Sequence, residues 1–203
     1  MSTASLLSQA GFITKDPDHD LYSATKKYEM LSVAQSAIVT LIDLRYLDFL
    51  KKVKNHTSIA SPGTFDLESD YLRHCYWETS NGNPIENIQL QERSVLRNEI
   101  YGGNDLQPVW YVYRDGTTKK GRVVLTTYSL LSSTDQFYVM KPPDIGASQE
   151  PVIEGFDAHI LSYVKYMFHM LEGQADLAQA SYSVFLKSIE PFLPNDKLSV
   201  QGR

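Results

Sequence analysis

Ser23-Ala24-Thr25-Lys26-Lys27-Tyr28-Glu29-Met30-Leu31-Ser32-Val33-Ala34-Gln35-Ser36-Ala37-Ile38-Val39-Thr40-Leu41-Ile42-Asp43 is the first strongly periodic stretch of the chain, and the fold class turns on how it is read. Tyr28, Leu31, Ala34, Ile38, Leu41 and Ile42 recur at steps of three and four, which lines them along one helical face. Lys26, Lys27 and Glu29 fall off that stripe, and Ser23 is placed to cap the first turn. One amphipathic helix is marginal alone, so its apolar face must be buried against another element.

The partner is expected near the other end of the chain. Ile160, Val164, Met167, Phe168 and Leu171 form one helical stripe, and Ala178, Tyr182, Phe185, Leu186 and Ile189 form another. Between them Gly173 offers a helix C-cap and Asp176 an N-cap, the punctuation of an antiparallel helical hairpin over 157–190 that Pro191 and Pro194 bring to a stop. Upstream, Ser2 to Ala10 predicts a short first helix ending at Gly11, followed by the polar loop Lys15-Asp16-Pro17-Asp18-His19-Asp20.

From Tyr46 to Pro142 the pattern changes to short runs rich in aromatic and β-branched residues. Tyr71 to Trp77 and Ile85 to Leu90 flank Ser80-Asn81-Gly82-Asn83-Pro84, a hairpin connection. Pro108 to Arg114, Arg122 to Thr127 and Gln136 to Met140 predict further strands, while Val95, Leu96 and Ile100 have helical spacing and predict a short helix within 91–101. The expected architecture is therefore α+β: a helical bundle, made of one long N-terminal helix and a C-terminal helical hairpin, with a β-rich inserted lobe of antiparallel strands. Its expected parts are a discontinuous helical bundle over 1–45 and 151–193, an inserted lobe over 46–150 and a C-terminal tail over 194–203.

Composition narrows the function. The chain has 203 residues, 42% of them hydrophobic and 21% charged, the profile of an ordinary globular protein. Its net charge of -5 is spread along the length, which disfavours a tight grip on nucleic acid, because phosphate binding concentrates Lys and Arg on one face. The clusters Lys51-Lys52-x-Lys54 and Lys119-Lys120-x-Arg122 are expected to be solvated strand or turn positions. No stretch approaches the roughly 20 apolar residues that would cross a bilayer. Met1-Ser2-Thr3-Ala4-Ser5-Leu6-Leu7 has neither the basic nor the long apolar region of a signal peptide, so assembly in a cytoplasm is expected.

Catalytic and cofactor motifs are not evident. Gly116 to Gly121 lacks the lysine and hydroxyl of a phosphate loop. Asp16-x-Asp18-x-Asp20 starts like a calcium loop, but Leu21 stands where the turn glycine is needed and Lys27 where a bidentate glutamate belongs. His19, His56, His74, His159 and His169 include no pair three or four apart, so no helix presents two imidazoles to one metal. His74 and the single cysteine, Cys75, point to opposite faces of a strand, which argues against a local dyad. No catalytic residue, cofactor or metal is expected, and the chain is not expected to be an enzyme.

The order of segments carries more. A leading helix, then Thr64-Phe65-Asp66-Leu67-Glu68-Ser69-Asp70-Tyr71-Leu72 opening a strand, then Asn81-Gly82-Asn83-Pro84-Ile85, resembles the head-to-tail adaptor (connector) proteins of tailed bacteriophages. Pro108-Val109-Trp110-Tyr111-Val112-Tyr113, a glycine turn, a Val-rich strand, Phe137-Tyr138-Val139-Met140-Lys141-Pro142-Pro143 and two helices from Phe156-Asp157-Ala158-His159 are similar to the tail tubular protein A and short-tail connector group. The likeness spans roughly residues 20–193.

The resemblance implies a structural virion protein of the tail or neck. It implies a homo-oligomeric ring, commonly a dodecamer, between the portal protein and a tail or nozzle protein, through which DNA passes without specific binding. Carried onto this chain, the tail from Pro194 to Arg203 would be the portal-binding element, with Leu198 and Val200 as its anchors. Two other readings stand beside it: a virion-associated peptidoglycan hydrolase using two carboxylates, and a cellular α+β binding module whose tyrosine-rich lobe recognises protein or carbohydrate.

Overall fold

The computed structural model describes residues 2–60, 63–88, 109–116, 118–124 and 130–194. Among them lie four α-helices and seven strands, an α+β chain. It divides into two compact units, one formed by Met1–Leu50 with Lys141–Arg203 and the other by Lys51–Met140.

The first unit holds all four helices: α1 (Thr3–Ile13), α2 (Ala24–Leu41), α3 (Asp157–Leu171) and α4 (Ala175–Ile189). Ser2 caps α1 and Ser23 caps α2, each side chain accepting the backbone N–H three residues on. The centre of the unit is α3, whose Ile160, Leu161, Val164 and Phe168 are buried, and α1, α2 and α4 all pack on it.

This corrects the expected bundle of one long N-terminal helix on a C-terminal hairpin. The helices have 11, 18, 15 and 15 residues and are spread through the chain, with two of them at the N-terminal end. Gly11 does not end α1; it lies inside the helix, where a Cβ would stand 3.1 Å from Pro17 Cα, so the glycine serves a close backbone approach. The buried face of α2 is also not a purely apolar seam for a hairpin. Lys27, Ser32 and Gln35 are buried in it beside Met30, Leu31, Ala34, Ile38 and Val39, because that face is shared with the loop before α2 and with the segment after residue 140.

The helical turn between α3 and α4 uses Gly173 at φ +70°, a left-handed conformation that suits glycine. Asp176 sits in the first turn of α4 rather than capping it; Gln174 holds the cap position, and its side chain meets His169 instead. Leu171, expected in the buried stripe, is exposed.

The second unit contains β1 (Lys51–Ala60), β2 (Gly63–Asp66), β3 (Tyr71–Thr79), β4 (Glu86–Asn87), β5 (Val109–Asp115), β6 (Thr118–Val124) and β7 (Leu130–Met140). They form two sheets, ordered β1-β7-β3 and β2-β6-β5-β4. Lys51 pairs with Val139, so this unit begins and finishes on neighbouring strands. The lobe was expected to be wholly antiparallel, but β4 runs parallel to β5. The turn after β3 closes with Gly82 at φ +77°, and the chain makes a single bridge back to β3, Pro84 opposite Glu78, held by the Thr79 N–H on the Asn83 carbonyl and the Ile85 N–H on the Trp77 carbonyl. The chain then crosses to the other sheet, burying Ile85 with Trp77, Trp110, Ile59 and Leu67 in the core of this unit. The helix expected within 91–101 lies outside the described residues.

Candidate functional site

The helical unit leaves large apolar side chains in water. Phe12, Leu21, Val33, Met170, Leu171, Leu177 and Val184 are all about half exposed or more, Leu21 reaching 77%. Isolated exposed apolar residues are ordinary; a contiguous patch of them would be less so.

Two grooves accompany them. The larger, about 700 Å³, follows the outer side of α2 past Ser32, Val33, Ser36, Ala37 and Thr40, with Ile145 on its far wall. That wall is fixed by side chains of α2 itself. Ser32 Oγ donates to the Tyr28 carbonyl at 2.8 Å and accepts the Ile145 N–H at 2.8 Å. Gln35, wholly buried, donates to the Pro143 carbonyl at 3.0 Å and accepts the Val152 N–H at 2.8 Å. The smaller groove, about 490 Å³, lies between α2 and α3 and is lined by Met30, Val33, Tyr163, Met167, Met170 and Leu171.

The expected portal-binding residues divide. Pro194 is half-buried directly after α4 and its closing turn, while Leu198, Val200 and Arg203 lie outside the described residues. The chain reaches Pro194 from a fixed point. Phe192 accepts the Asp43 N–H on its carbonyl at 2.8 Å, and its ring meets Phe156 at 4.8 Å and Tyr46 at 5.3 Å.

The acidic loop resembling a calcium site holds a different device. Asp16 is buried, and its carboxylate accepts the N–H groups of Asp20, Leu21 and Tyr22 as well as the Lys27 ammonium at 2.9 Å. Lys27, which falls off the apolar stripe, has no exposed surface; it also donates to the Asp16 carbonyl and to His19 Nδ1. Burial pushes the Asp16 pKa upward, but the Lys27 bond and the Tyr22 and Leu21 amides outweigh it and hold the carboxyl well below its usual range. The lysine thus occupies the position a cation would take, while Asp18 and Asp20 face water. No cluster of three His, Cys, Asp or Glu suited to a metal occurs among the described residues.

The histidines make local contacts. His159 Nδ1 lies 3.0 Å from Ser188 Oγ, but that hydroxyl donates to the Phe185 carbonyl at 2.7 Å, so the histidine must donate to it and cannot act there as its base. His74 packs edge-on against Trp110, and burial lowers its pKa to about 4. His56 Nε2 donates to Gln136 Oε1 at 3.0 Å, and its ring lies tilted 5.1 Å from that of Trp77.

Two lysines of the basic cluster of β1 are paired with acids: Lys52 with Asp70 at 2.6 Å and Lys54 with Glu68. In the second cluster Lys120 pairs with Asp115 at 2.9 Å. The Lys52 bond, aided by a hydrogen bond from Tyr138 and opposed by burial, lowers the Asp70 pKa, an unhelpful direction for a general acid. No described helix is long and apolar enough to cross a membrane.

No protein-family model matches the chain, and no curated protein is similar to it.

Proposed function

We propose that this protein is a head-to-tail adaptor of a tailed bacteriophage, a structural virion subunit that forms a ring between the portal and the tail. The observation that carries the reading is the set of large apolar side chains left in water on the helical unit, Leu177 and Val184 on α4 and Val33 on α2 among them. A subunit of a closed heterologous ring needs two unlike adhesive faces, and exposed apolar surface on more than one helix supplies the material for them.

Two further features support it. The helical unit is interrupted in sequence by strands between α2 and α3, and the resemblance to the adaptor group rests on segment order. The acid-paired lysines and a net charge of -5 suit a conduit that DNA traverses without being held, since phosphate affinity grows with unpaired cations on one face. The work is mechanical: the subunit joins two structures and encloses a passage, and it breaks no bond. The portal-facing element is the segment from Pro194 to Arg203, which follows the anchored Phe192 in the chain.

The test is deletion of 195–203. The full chain is expected to be retained by immobilised portal rings of the same virus, and the truncated chain to be lost from them while keeping its helical circular dichroism. Equal retention of both chains would refute the assignment of the tail.

A further inference from the structure

Two contacts fix how α2 and α3 run. Phe192 joins the far end of α2 to the start of α3: its carbonyl accepts the Asp43 N–H at 2.8 Å, and its ring lies 4.8 Å from that of Phe156. At the other end Tyr22, just before α2, donates to Glu172, just after α3. The helices are therefore antiparallel, and the 490 Å³ groove between them has one end toward Phe192. On α3 its lining runs from Tyr163 to Leu171. At 1.5 Å per residue from Phe156, that stretch lies from about 10 Å to about 22 Å along the helix. Val33, Met170 and Leu171 along it are 49%, 56% and 54% exposed, and Met167 adds an unbranched, adaptable wall. Lys26 and Glu29 at its rim pair with each other at 2.9 Å, so what the groove offers a ligand is apolar.

The sequence after Pro194 carries a matching pattern. Leu198 and Val200 are its large apolar residues, and an extended backbone sets residues two apart on one side, with Lys197, Ser199 and Gln201 on the other. At about 3.3 Å per residue, an extended chain carries Leu198 up to about 20 Å from Phe192 and Val200 up to about 26 Å, so both can stand within the groove. The other groove in reach, the 700 Å³ trough on the outer side of α2, fits them less well, because Ser32, Ser36 and Thr40 line it with hydroxyls.

We infer that the segment Asn195 to Gln201 folds back along the groove between α2 and α3 of its own chain, with Leu198 and Val200 inward. A short tether holds such a segment at an effective concentration on the order of mM, so weak docking is enough to populate the contact. The contact stands on the reach and pattern of the segment. Its consequence, a portal-binding tail held in reserve until the portal releases it, rests on the adaptor reading.

The test is disulfide trapping in a Cys75→Ser background at low protein concentration. One variant carries Gln201→Cys with Met170→Cys, in the groove, and the other Gln201→Cys with Thr40→Cys, in the trough; Met170 and Thr40 are both exposed. Thr40 stands close in sequence to Asp43, which bonds Phe192, so a tail without a seat would favour it over Met170. The Met170→Cys variant is expected to close about tenfold faster than the Thr40→Cys variant, within single chains, and Leu198→Ser with Val200→Ser should abolish the preference. Equal rates, faster closure at Thr40→Cys or cross-links between chains overturn the contact. As a check free of cysteine chemistry, deletion of 195–203 should raise the fluorescence of anilinonaphthalene sulfonate, a probe of exposed apolar surface, about threefold at unchanged helical circular dichroism. Unchanged fluorescence counts against the contact. Portal rings added before oxidation should slow the Met170→Cys closure, and closure unaffected by rings that bind the chain would overturn the reserve role. Failure of trapping with portal binding intact would remove this inference alone, whereas trapping without portal binding would remove the adaptor reading and leave the contact.

Discussion

The ammonium of Lys27 lies 2.9 Å from the carboxylate of Asp16, and both side chains are withdrawn from water. The pair joins α2 to the loop that follows α1, and the same carboxylate gathers three backbone N–H groups, so it orders the loop as well as neutralising the lysine. Lys27→Met should destabilise the helical unit by about 3 kcal/mol, the scale on which removing one partner of a buried pair acts. Urea denaturation followed by helical circular dichroism measures it, and a loss below about 1 kcal/mol would show that the pair adds little.

Acid should act on Asp16 in a defined direction. Its folded pKa lies below the ordinary value of 3.8, so the unfolded chain takes up the proton first. The stabilisation is present above that ordinary value and is lost as the pH falls beneath it. Asp16→Asn should be less stable than the wild type at neutral pH and should show a smaller further loss on acidification below pH about 4. Parallel losses in the two chains would contradict this.

The β unit has an acid response at higher pH. Burial holds the His74 pKa at about 4, against an ordinary 6.5, and burial lowers that of His56 as well, opposed by its Gln136 hydrogen bond. Between those limits the unfolded chain binds protons that the folded unit refuses, so stability declines as pH falls from about 6.5 toward 4. Both tryptophans, Trp77 and Trp110, belong to this unit, so tryptophan fluorescence reports it alone. His74→Phe should flatten the decline while keeping an aromatic ring beside Trp110. A denaturation midpoint unchanged between pH 7 and pH 5 in the wild type would sink the prediction.

Gly121 is held by an aromatic neighbour. It pairs with Phe65 across β2 and β6, and a methyl group there would run into the Phe65 ring. That ring has little room to yield, since it meets His56, Trp77 and Trp110 at centroid separations of 4.9, 5.3 and 6.1 Å. Gly121→Ala should cost about 1–3 kcal/mol by overpacking, read from the tryptophan-monitored midpoint. A neutral or stabilising substitution would mean that the ring moves freely.

Gln35 fastens the segment after residue 140 to α2 through two hydrogen bonds. Gln35→Leu would leave the Pro143 carbonyl and the Val152 N–H without these partners, a loss of about 1–3 kcal/mol for each group that stays buried. Hydrogen exchange should quicken at Val152 more than at Ile160 in α3. Equal protection in both chains would place the segment's stability elsewhere.

These residues also mark what the sequence could disclose. The Ser23 cap and the course of α2, α3 and α4 follow from 3.6-residue periodicity and cap chemistry, both local in the chain. Lys27 falls off the apolar stripe and is buried all the same, because a period counts polarity and cannot see Asp16 folding back to meet it. Ser32 and Gln35 escaped for the same reason, their partners lying more than 100 residues away. Gly11 reads as a helix stop in the linear sequence because its close approach to Pro17 is tertiary. The parallel pairing of β4 with β5 could not be derived from alternation, which gives the faces of a strand but not its neighbours. Of the expected portal-binding residues only Pro194 is described, and the grooves of the helical unit had no signature in the linear pattern beyond exposed Val33, Leu177 and Val184.

The central claim is that this chain forms a ring on a portal. Electron microscopy of the purified protein mixed with portal rings of the same virus tests it most directly. The account predicts an added annular layer coaxial with the portal, absent when the 195–203 deletion replaces the full chain. Portal particles unchanged at saturating concentrations of the full chain would contradict it.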